Sequence, residues 1–334
     1  MTRGRPTGHH NGVMAVIENS KVAIVGAGSV GTAIAYACLI RRSARTIALY
    51  DVNKAKVDAE VLDLQHGALY TGSSQIIGGA DPSVVAGAHL VVITAGAKQD
   101  PGQTRIDLAG TNVGILEKML PVLMQHAPNA VYMLVTNPCD VLTVAAQQIT
   151  GLPEERVMAS GTVLDTSRLR QLLAVRAGVA PHSVHADIVG EHGDTEFALW
   201  SQARIGPVPI LDWVPSPTST DQRPFTHAEL DQITDAVRGA AYRVIEGKGA
   251  TNYAIGVSAT RIIEAVLTDE NAVLPVSIVH RGHHGIDGVA LSLPSIVNST
   301  GVARVLGVRM SALEERHLQA SAEALRKVQQ DLGI

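Results

Sequence analysis

Residues 21–31 read Lys-Val-Ala-Ile-Val-Gly-Ala-Gly-Ser-Val-Gly. The apolar run over 22–25 is typical of a short strand, and a helix is predicted from Ser29 to about Arg41. Gly26 allows a sharp turn, Gly28 lets the backbone approach a pyrophosphate, and Gly31 lets the helix pack closely on the sheet. The helix N-terminus would direct its free N–H groups and positive dipole end at the phosphates. The stretch therefore predicts a dinucleotide-binding turn.

One acidic residue, Asp51, ends the next apolar run, twenty positions after the last of these glycines. A carboxylate there would accept hydrogen bonds from both hydroxyls of an adenosine ribose, and its charge would repel an added 2′-phosphate. The expected cofactor is therefore NAD rather than NADP. A glycine-rich turn alone also occurs in α/β proteins that bind no dinucleotide, but a strand, a helix and an acid in this order favour the cofactor site.

The spacing of apolar runs indicates the fold class. Strand-like runs recur at 22–25, 46–50, 90–94 and 131–135 with helical stretches between them, which is typical of a parallel sheet. Beyond about residue 160 we expect a helix near Asp165, a strand over 186–190, a helix over 227–246, antiparallel strands over 273–279 and 289–296, and a last helix over 311–332 with a capping box of Ser311 and Glu314. The sequence predicts a mobile tail over 1–20, a Rossmann-type doubly wound parallel sheet (α/β) over 21–160, and an α+β substrate domain with antiparallel strands over 161–334.

Composition excludes several classes of protein. The chain has 334 residues, 46% of them hydrophobic and only 3% aromatic, and a formal net charge of −4, so it has no basic field for nucleic acid or anionic lipid. It has no apolar run long enough for a membrane span. The two cysteines, Cys38 and Cys139, lack metal-site spacing and fit a reducing compartment. The tail has no signal-peptide core, and we expect a cytoplasmic protein.

Three separate segments carry groups that could do chemistry. Asp165-Thr166-Ser167-Arg168 places a carboxylate and a guanidinium on one helical face, Glu191-His192-Gly193-Asp194 places a histidine after a strand, and the polar segment 99–105 follows another strand end. Each alone is ordinary: a helical ion pair, a loop histidine and a surface loop.

Together the segments resemble the L-2-hydroxy-acid dehydrogenase family and, within it, the L-lactate dehydrogenases. The resemblance runs from about Lys21 to Leu332. Its motifs are Gly-Ala-Gly-Ser-Val-Gly (26–31), Thr-Asn-Pro-Cys-Asp (136–140), Gly-Thr-Val-Leu-Asp-Thr-Ser-Arg (161–168), Gly-Glu-His-Gly-Asp (190–194) and Lys-Gly-Ala-Thr (248–251). It implies reversible hydride transfer between NADH and pyruvate, which gives L-lactate.

The resemblance also assigns catalytic roles. His192 would give a proton to the alkoxide formed at C2 of pyruvate, and Asp165 would fix the tautomer of its ring. Arg168 would bind the substrate carboxylate through two hydrogen bonds. Arg105, brought in by closure of the loop 97–107, would polarise the carbonyl, and Asn137 would contact the same oxygen from the other side.

For the cofactor, the resemblance implies that the adenosine half contacts Val30, Asp51 and Lys56, and that the nicotinamide half contacts Gly96, Ala97, Val135 and Ser160. The full set of expected cofactor residues is Gly26, Gly28, Val30, Gly31, Asp51, Lys56, Gly96, Ala97, Val135, Asn137 and Ser160.

Gln99 bears on which hydroxy acid is used. Malate dehydrogenases have an arginine at that place for a second carboxylate, whereas a neutral glutamine would leave that charge without a partner once water is excluded. Thr251 would bound the same pocket. Lactate is therefore favoured over malate. Another 2-hydroxy acid with a longer apolar side chain, an atypical malate dehydrogenase and a non-catalytic NAD-binding regulator remain as alternatives, although the intact proton-relay residues argue against the last.

Arg170 and His185 match the positions at which allosteric bacterial members bind fructose 1,6-bisphosphate between subunits. The resemblance therefore implies this effector and a homo-oligomer, expected as a tetramer. The alternative is that Arg170 ends a helix on the surface and His185 caps a strand. His280, His283 and His284 in a glycine-rich stretch could suggest a metal, but we expect solvated side chains and no metal.

Overall fold

The computed structural model describes residues 17–97, 105–214 and 224–334, and for Arg105 only the backbone. Residues 1–16, Gln99 and most of the loop 97–107, for all of which predictions were made above, lie outside the described residues. Ile17 is held by a hydrogen bond from its N–H to the carbonyl of Leu267 (3.3 Å) and packs against the core.

The first half of the chain alternates strands and helices, as predicted. Its elements are β1 (Lys21–Val25), α1 (Ser29–Arg41), β2 (Thr46–Tyr50), α2 (Lys54–Gly67), β3 (Gln75–Gly79), β4 (Leu90–Ile93), α3 (Arg105–His126), β5 (Val131–Leu134), α4 (Cys139–Thr150) and β6 (Val157–Ala159).

The second half combines helices with short antiparallel strands. Its elements are α5 (Val163–Ala177), β7 (Val184–His185), β8 (Ile188–Val189), β9 (Phe197–Ala198), β10 (Arg204–Ile205), β11 (Val208–Pro209), α6 (His227–Arg238), α7 (Ala240–Lys248), α8 (Tyr253–Leu267), β12 (Ala272–Leu274), β13 (Ser277–His283), β14 (Ile286–Ser292), β15 (Ser295–Asn298), β16 (Gly301–Val305) and α9 (Ala312–Leu332).

The main sheet has the order β14-β13-β6-β5-β4-β1-β2-β3. Its first six strands in the chain, which lie side by side in the order β3-β2-β1-β4-β5-β6, run parallel. This 3-2-1-4-5-6 order is that of a doubly wound dinucleotide-binding fold, so the predicted fold class is confirmed. Along β1, Val22 and Ile24 belong to one core cluster, whereas Ala23 and Val25 belong to another. Both faces of the sheet are therefore covered, as parallel sheets require.

The two sequence halves share this sheet. Ser277 of β13 pairs with Ala159 of β6 in antiparallel register, and β14 pairs with β13. The segment after β8 adjoins this hairpin, since Gly190 forms an antiparallel bridge with Ser292 of β14. The antiparallel hairpin thus connects the predicted cofactor half to the predicted catalytic half.

Several predicted boundaries were wrong. The strand expected over 273–279 is divided at Pro275 and the one over 289–296 at Pro294, because proline has no N–H for the sheet ladder. The helix expected over 227–246 is two helices that meet at Gly239, and the strand expected over 186–190 is reduced to β8. The capping box of Ser311 and Glu314 is present as predicted.

None of the helices in the described part of the chain is both long and apolar enough to span a bilayer.

Candidate active site

The glycine turn after β1 has the steric constraints expected of it. Gly26 has φ +107°, and a Cβ there would lie 2.8 Å from the backbone nitrogen of Ala95. A Cβ on Gly31 would overlap the carbonyl oxygen of Gly26, whereas a Cβ on Gly28 would meet nothing within 4 Å. Gly26 and Gly31 therefore serve close packing, and Gly28 borders open space at the start of α1.

That open space belongs to a cavity of about 680 Å³ at the carboxyl ends of β1, β2 and β4. Six predicted cofactor residues line it: Gly26, Gly28, Asp51, Lys56, Gly96 and Ala97. The other five, Val30, Gly31, Val135, Asn137 and Ser160, are not part of its wall. Sequence reasoning missed the contribution of α3, which adds Ile115, Lys118, Met119, Val122 and Leu123.

Asp51 is fixed at the end of β2 by two backbone N–H groups. Its Oδ2 accepts a hydrogen bond from Ala27 N (2.7 Å), and its Oδ1 accepts one from Asn53 N (2.9 Å). The first bond ties the acid to the glycine turn, so the carboxylate and the helix N-terminus share one rim of the cavity. The cavity, the glycine turn and this carboxylate fit a dinucleotide.

Asn112, which sequence reasoning missed, holds together two predicted site segments. It is buried on α3; its Oδ1 accepts a hydrogen bond from Ala97 N (2.7 Å), and its Nδ2 donates to the carbonyl of Asn137 (2.8 Å). A polar residue inside the otherwise apolar face of a helix was the only signal. Asn137 precedes a cis peptide bond to Pro138 at the start of α4.

The three groups with predicted proton and substrate roles meet. His192 Nδ1 lies 2.6 Å from Oδ2 of Asp165, and the other oxygen of Asp165 accepts a hydrogen bond from Arg168 Nη1 (2.5 Å). The Asp165 side chain is 2% exposed, whereas those of Arg168 and His192 are 19% and 25% exposed. A buried carboxylate therefore orients two cationic groups that still reach solvent.

A second buried carboxylate, Asp140 of α4, holds the backbone of the histidine segment. Its Oδ2 accepts a hydrogen bond from His192 N (2.7 Å). Burial, offset in part by the hydrogen bond from the backbone N–H of His192 and by the charge of that histidine, raises the pKa of Asp140 to about 6. The quoted Thr-Asn-Pro-Cys-Asp motif contained this residue, but nothing in the motif indicated its contact with His192.

Charge around His192 favours its protonated form. Burial lowers the pKa of this histidine, but the charge and hydrogen bond of Asp165 and the charges of Asp140 and Glu196 outweigh that effect and raise it to about 9. Burial likewise raises the pKa of Asp165, but His192 and Arg168 outweigh it, so the pKa of Asp165 is lowered. The pair is thus an imidazolium and a carboxylate near neutral pH.

For the remaining predicted substrate residues, Arg105 and Thr251, the structure gives their position along the chain relative to the helices. Arg105 is the first residue of α3, and Thr251 lies two residues before α8 begins. Gln99 is outside the described residues.

The predicted effector residues lie near each other on the surface. Arg170 donates from Nε to the carbonyl of Ala186 (2.9 Å) and from Nη2 to Oδ1 of Asp187 (2.7 Å). His185, directly before Ala186 in the chain, is exposed on β7 opposite Arg204 of β10. Arg170 does not end a helix, since α5 continues to Ala177, and its side chain binds the segment that follows His185.

The predicted solvated histidines are only partly exposed. His280 is buried; its Nε2 bonds to the carbonyl of Leu291 (3.0 Å), and its Nδ1 lies 3.4 Å from His283 Nδ1. Burial lowers the pKa of His280 to about 4. His284 Nδ1 lies 3.1 Å from Glu315 of α9. The expectation of solvated side chains was therefore wrong for His280, because β13 places it in the sheet.

Comparison with known proteins identifies the family. Residues 20–159 match the lactate/malate dehydrogenase NAD-binding domain, and residues 162–332 match the alpha/beta C-terminal domain of the same family. The chain belongs to the lactate/malate dehydrogenase family. It therefore has that family's NAD-binding domain and is an NAD-dependent oxidoreductase.

Individual relatives extend over nearly the whole chain. The chain is 46% identical to an L-lactate dehydrogenase of Bifidobacterium animalis subsp. lactis over 95% of its length and 98% of the relative, and 43% identical to one of Synechococcus over 92% and 98%. Among solved structures, a lactate dehydrogenase enzyme from a Medee basin deep-sea metagenome library has a TM-score of 0.90 at 37% identity, covering 95% of this chain and 100% of that one. The minor L-lactate dehydrogenase of Enterococcus mundtii has a TM-score of 0.88 at 38% identity, covering 94% and 98%.

Proposed function

We propose that this protein is an L-lactate dehydrogenase that interconverts pyruvate and (S)-lactate. The observation that carries the proposal is the contact between His192 and the buried Asp165, whose second oxygen binds Arg168. The arrangement provides a proton donor and a carboxylate-binding cation side by side. The names of the relatives support the same substrate pair.

His192 is the proton donor in this mechanism. Bound NADH would supply the hydride that reaches C2 of pyruvate. Because Asp165 occupies Nδ1 of His192, Nε2 is the nitrogen left to face a substrate, and its proton passes to the C2 oxygen as negative charge develops there. In lactate oxidation the neutral Nε2 removes that proton, so oxidation requires the unprotonated ring.

Arg168 binds the substrate carboxylate. One of its N–H groups is used by Asp165, and its guanidinium still has enough donors for a bidentate contact. That contact fixes which face of C2 is presented to the nicotinamide. Arg105 and Asn137 act on the carbonyl oxygen, and Thr251 bounds the pocket for the methyl group.

Gln99 decides between pyruvate and oxaloacetate in this proposal. A neutral side chain offers no counter-charge to a second carboxylate, and burying an unpaired charge is costly. The second candidate, a malate dehydrogenase, would need that charge to be met by another residue.

The test is the rate of NADH oxidation with pyruvate and with oxaloacetate as alternative substrates. We expect kcat/KM for pyruvate to exceed that for oxaloacetate by at least about a hundred-fold, since one unpaired buried charge costs several kcal/mol. A preference for oxaloacetate would establish the malate alternative, and absence of turnover with either would favour an NAD-binding regulator.

The proposal includes an oligomer, an effector and a compartment. Large apolar side chains are exposed on α1 and α8, among them Tyr36 (56%), Ile40 (51%), Tyr253 (74%) and Val257 (52%), and such a patch supports subunit contact. Light scattering should give the mass of a tetramer.

The proposed effector, fructose 1,6-bisphosphate, would bind between subunits to cations supplied by Arg170, His185 and Arg204. The proposed compartment is the cytoplasm, with which the two buried free thiols, Cys38 and Cys139, are compatible.

A further inference from the structure

Glu196 is a buried carboxyl group that the proposed mechanism does not use. It directly precedes β9 and is 3% exposed. Its Oε1 has no hydrogen-bond partner among the described residues. An ionised carboxylate in such a place is strongly disfavoured, so the residue calls for an explanation.

Glu196 adjoins the proton-handling pair. One oxygen of Glu196, one oxygen of Asp165 and one ring nitrogen of His192 all lie within 4.8 Å of one another. At this separation a full charge on one group changes the pKa of the next by about one unit or more. The ionisation of Glu196 is therefore coupled to that of His192.

The surrounding charges come from several elements. Asp140 of α4 and Asp165 with Arg168 of α5 face His192, and Glu191 is its neighbour in the chain. From α6, Arg238 donates to the backbone carbonyl of Glu196 (2.8 Å) and pairs with Asp235 (2.9 Å). From α9, His317 packs edge-on against Phe197 (5.5 Å between ring centroids). Two terminal nitrogens of Arg238 are thus used by Asp235 and a carbonyl, its Nε has no hydrogen-bond partner among the described residues, and its charge lowers the pKa of Glu196 without outweighing burial.

A second cavity lies beyond Glu196. It has a volume of about 640 Å³, and its wall includes Thr195, Glu196, Phe197 and residues of α6 and α9. Neither His192 nor Asp165 is part of that wall. Glu196 therefore connects the catalytic pair to a space separate from the cofactor cavity, and a proton on its carboxyl group can exchange from that side.

We propose that Glu196 is a positioning residue for the proton on His192: its carboxyl group exchanges its own proton on the side of the second cavity, and its negative charge, when present, keeps His192 protonated. This inference rests on the proposed function of His192 as the proton donor.

The direction of the titration agrees with the geometry. Burial, together with the charge of Asp165, raises the pKa of Glu196 to about 8, so the group ionises just below the pKa of about 9 of His192. Ionisation of Glu196 favours the imidazolium and so raises the pKa of His192. Pyruvate reduction, which needs the imidazolium, is thereby extended to higher pH.

The test replaces Glu196 by glutamine, which has the same shape and no charge at any pH. The pKa of His192 should fall by about one unit. Two readouts should move together: the alkaline limb of kcat/KM for pyruvate reduction and the acid limb for lactate oxidation, both to lower pH. In Glu196→Asp, which keeps an ionisable carboxyl group, the pKa of His192 should recover at least half of the value lost in Glu196→Gln.

A readout without substrate separates this inference from the proposed function. Diethyl pyrocarbonate modifies neutral imidazole groups. The part of the modification rate that the unchanged protein shows and His192→Gln lacks is the part due to His192. Its pH dependence should shift by the same unit in Glu196→Gln even if the natural substrate is not pyruvate. Glu314→Gln is the matched control, because Glu314 is buried and lines the same cavity but bonds to Ser201 and Ser311.

Two results would overturn the inference. One is an unchanged pKa of His192 in Glu196→Gln with the fold retained by circular dichroism. The other is an equal shift in Glu314→Gln, which would indicate a general effect of altering the cavity.

Discussion

The cofactor cavity and the proposed catalytic cluster of His192, Asp165, Arg168 and Glu196 differ in the kind of group that forms them. The cavity wall near β1 is glycine, alanine and backbone, with Asp51 held in place by two N–H groups. The catalytic cluster is made of ionisable side chains, and the pKa values of His192 and Glu196 are displaced to about 9 and about 8. Shape governs the first region, and charge governs the second.

This difference means that substitutions in the two regions should separate binding from chemistry. A change of size near Gly28 should affect NADH binding, while a change of charge near His192 should affect turnover and its pH dependence. Asn112 is hydrogen-bonded both to Ala97 in the cavity wall and to Asn137, a proposed substrate contact, so some coupling between cofactor binding and substrate binding is expected.

The largest effect is expected where charge also decides the substrate. Gln99→Arg should move the ratio of kcat/KM for oxaloacetate to that for pyruvate by several orders of magnitude, because it supplies the missing counter-charge and leaves an unpaired cation over the methyl group of pyruvate. Steady-state kinetics with both substrates measure this ratio. Gln99→Met is the control, since it changes the side chain without adding charge; a shift of similar size there would contradict the electrostatic account.

Replacing His192 by glutamine should lower kcat by roughly a hundred-fold or more, because the proton donor is lost. NADH affinity, measured by fluorescence titration, should stay within about two-fold, since His192 is outside the wall of the cofactor cavity. A variant with at least half of the normal turnover would show that the proton donor is another residue.

Substitution by alanine should affect a different property at each of two glycines of the turn: stability at Gly31 and NADH binding at Gly28. Gly31→Ala should destabilise the fold by about 3 kcal/mol, because its Cβ overlaps the backbone of Gly26. Gly28→Ala should cost less than about 1 kcal/mol, because nothing lies within 4 Å of its Cβ, but it should weaken NADH binding by filling the cavity. Urea unfolding and NADH titration of both variants distinguish the two roles, and equal unfolding midpoints would contradict them.

The same contrast explains what could be predicted from sequence. Gly26, Gly31 and Asp51 were identified because a strand, a turn and a helix are local in the chain. The contact of His192 with Asp165 spans 27 residues and that of His192 with Asp140 spans 52, so spacing alone could not reveal them. The first was assigned through the family resemblance, and the second was missed.

Glu196 and Asn112 were missed for a related reason. Both are buried polar residues, and their importance depends on which elements pack around them. By contrast, the strand breaks at Pro275 and Pro294 and the helix break at Gly239 were present in the sequence as local signals, and the predictions extended the elements across them.

Asp51 offers a smaller test of the cofactor region. Asp51→Asn should weaken NADH binding by about ten-fold, because an uncharged amide is a poorer acceptor for two ribose hydroxyls, and should relax the exclusion of NADPH by a similar factor. Its kcat at saturating NADH should stay within about two-fold, the reverse of the His192→Gln pattern. Asp58→Asn removes the same charge from the exposed ion pair with Lys54 on α2 and should leave NADH binding unchanged. If Asp51→Asn lowered kcat as strongly as His192→Gln, the two regions would not be separable.

The effector site should give the smallest change, and one that is independent of both regions. Fructose 1,6-bisphosphate should lower the KM for pyruvate by about five-fold or more, a typical coupling between sites. Arg170→Gln combined with His185→Gln should abolish the response but leave kcat at saturating pyruvate within about two-fold, since the two side chains bind Asp187 or face solvent and do not contact His192. Arg176→Gln, on the same helix but paired with Glu229, should keep the response. A KM that does not respond to millimolar effector at pH 6, or a double variant that still responds, would show that the cations around β7 do not form an effector site.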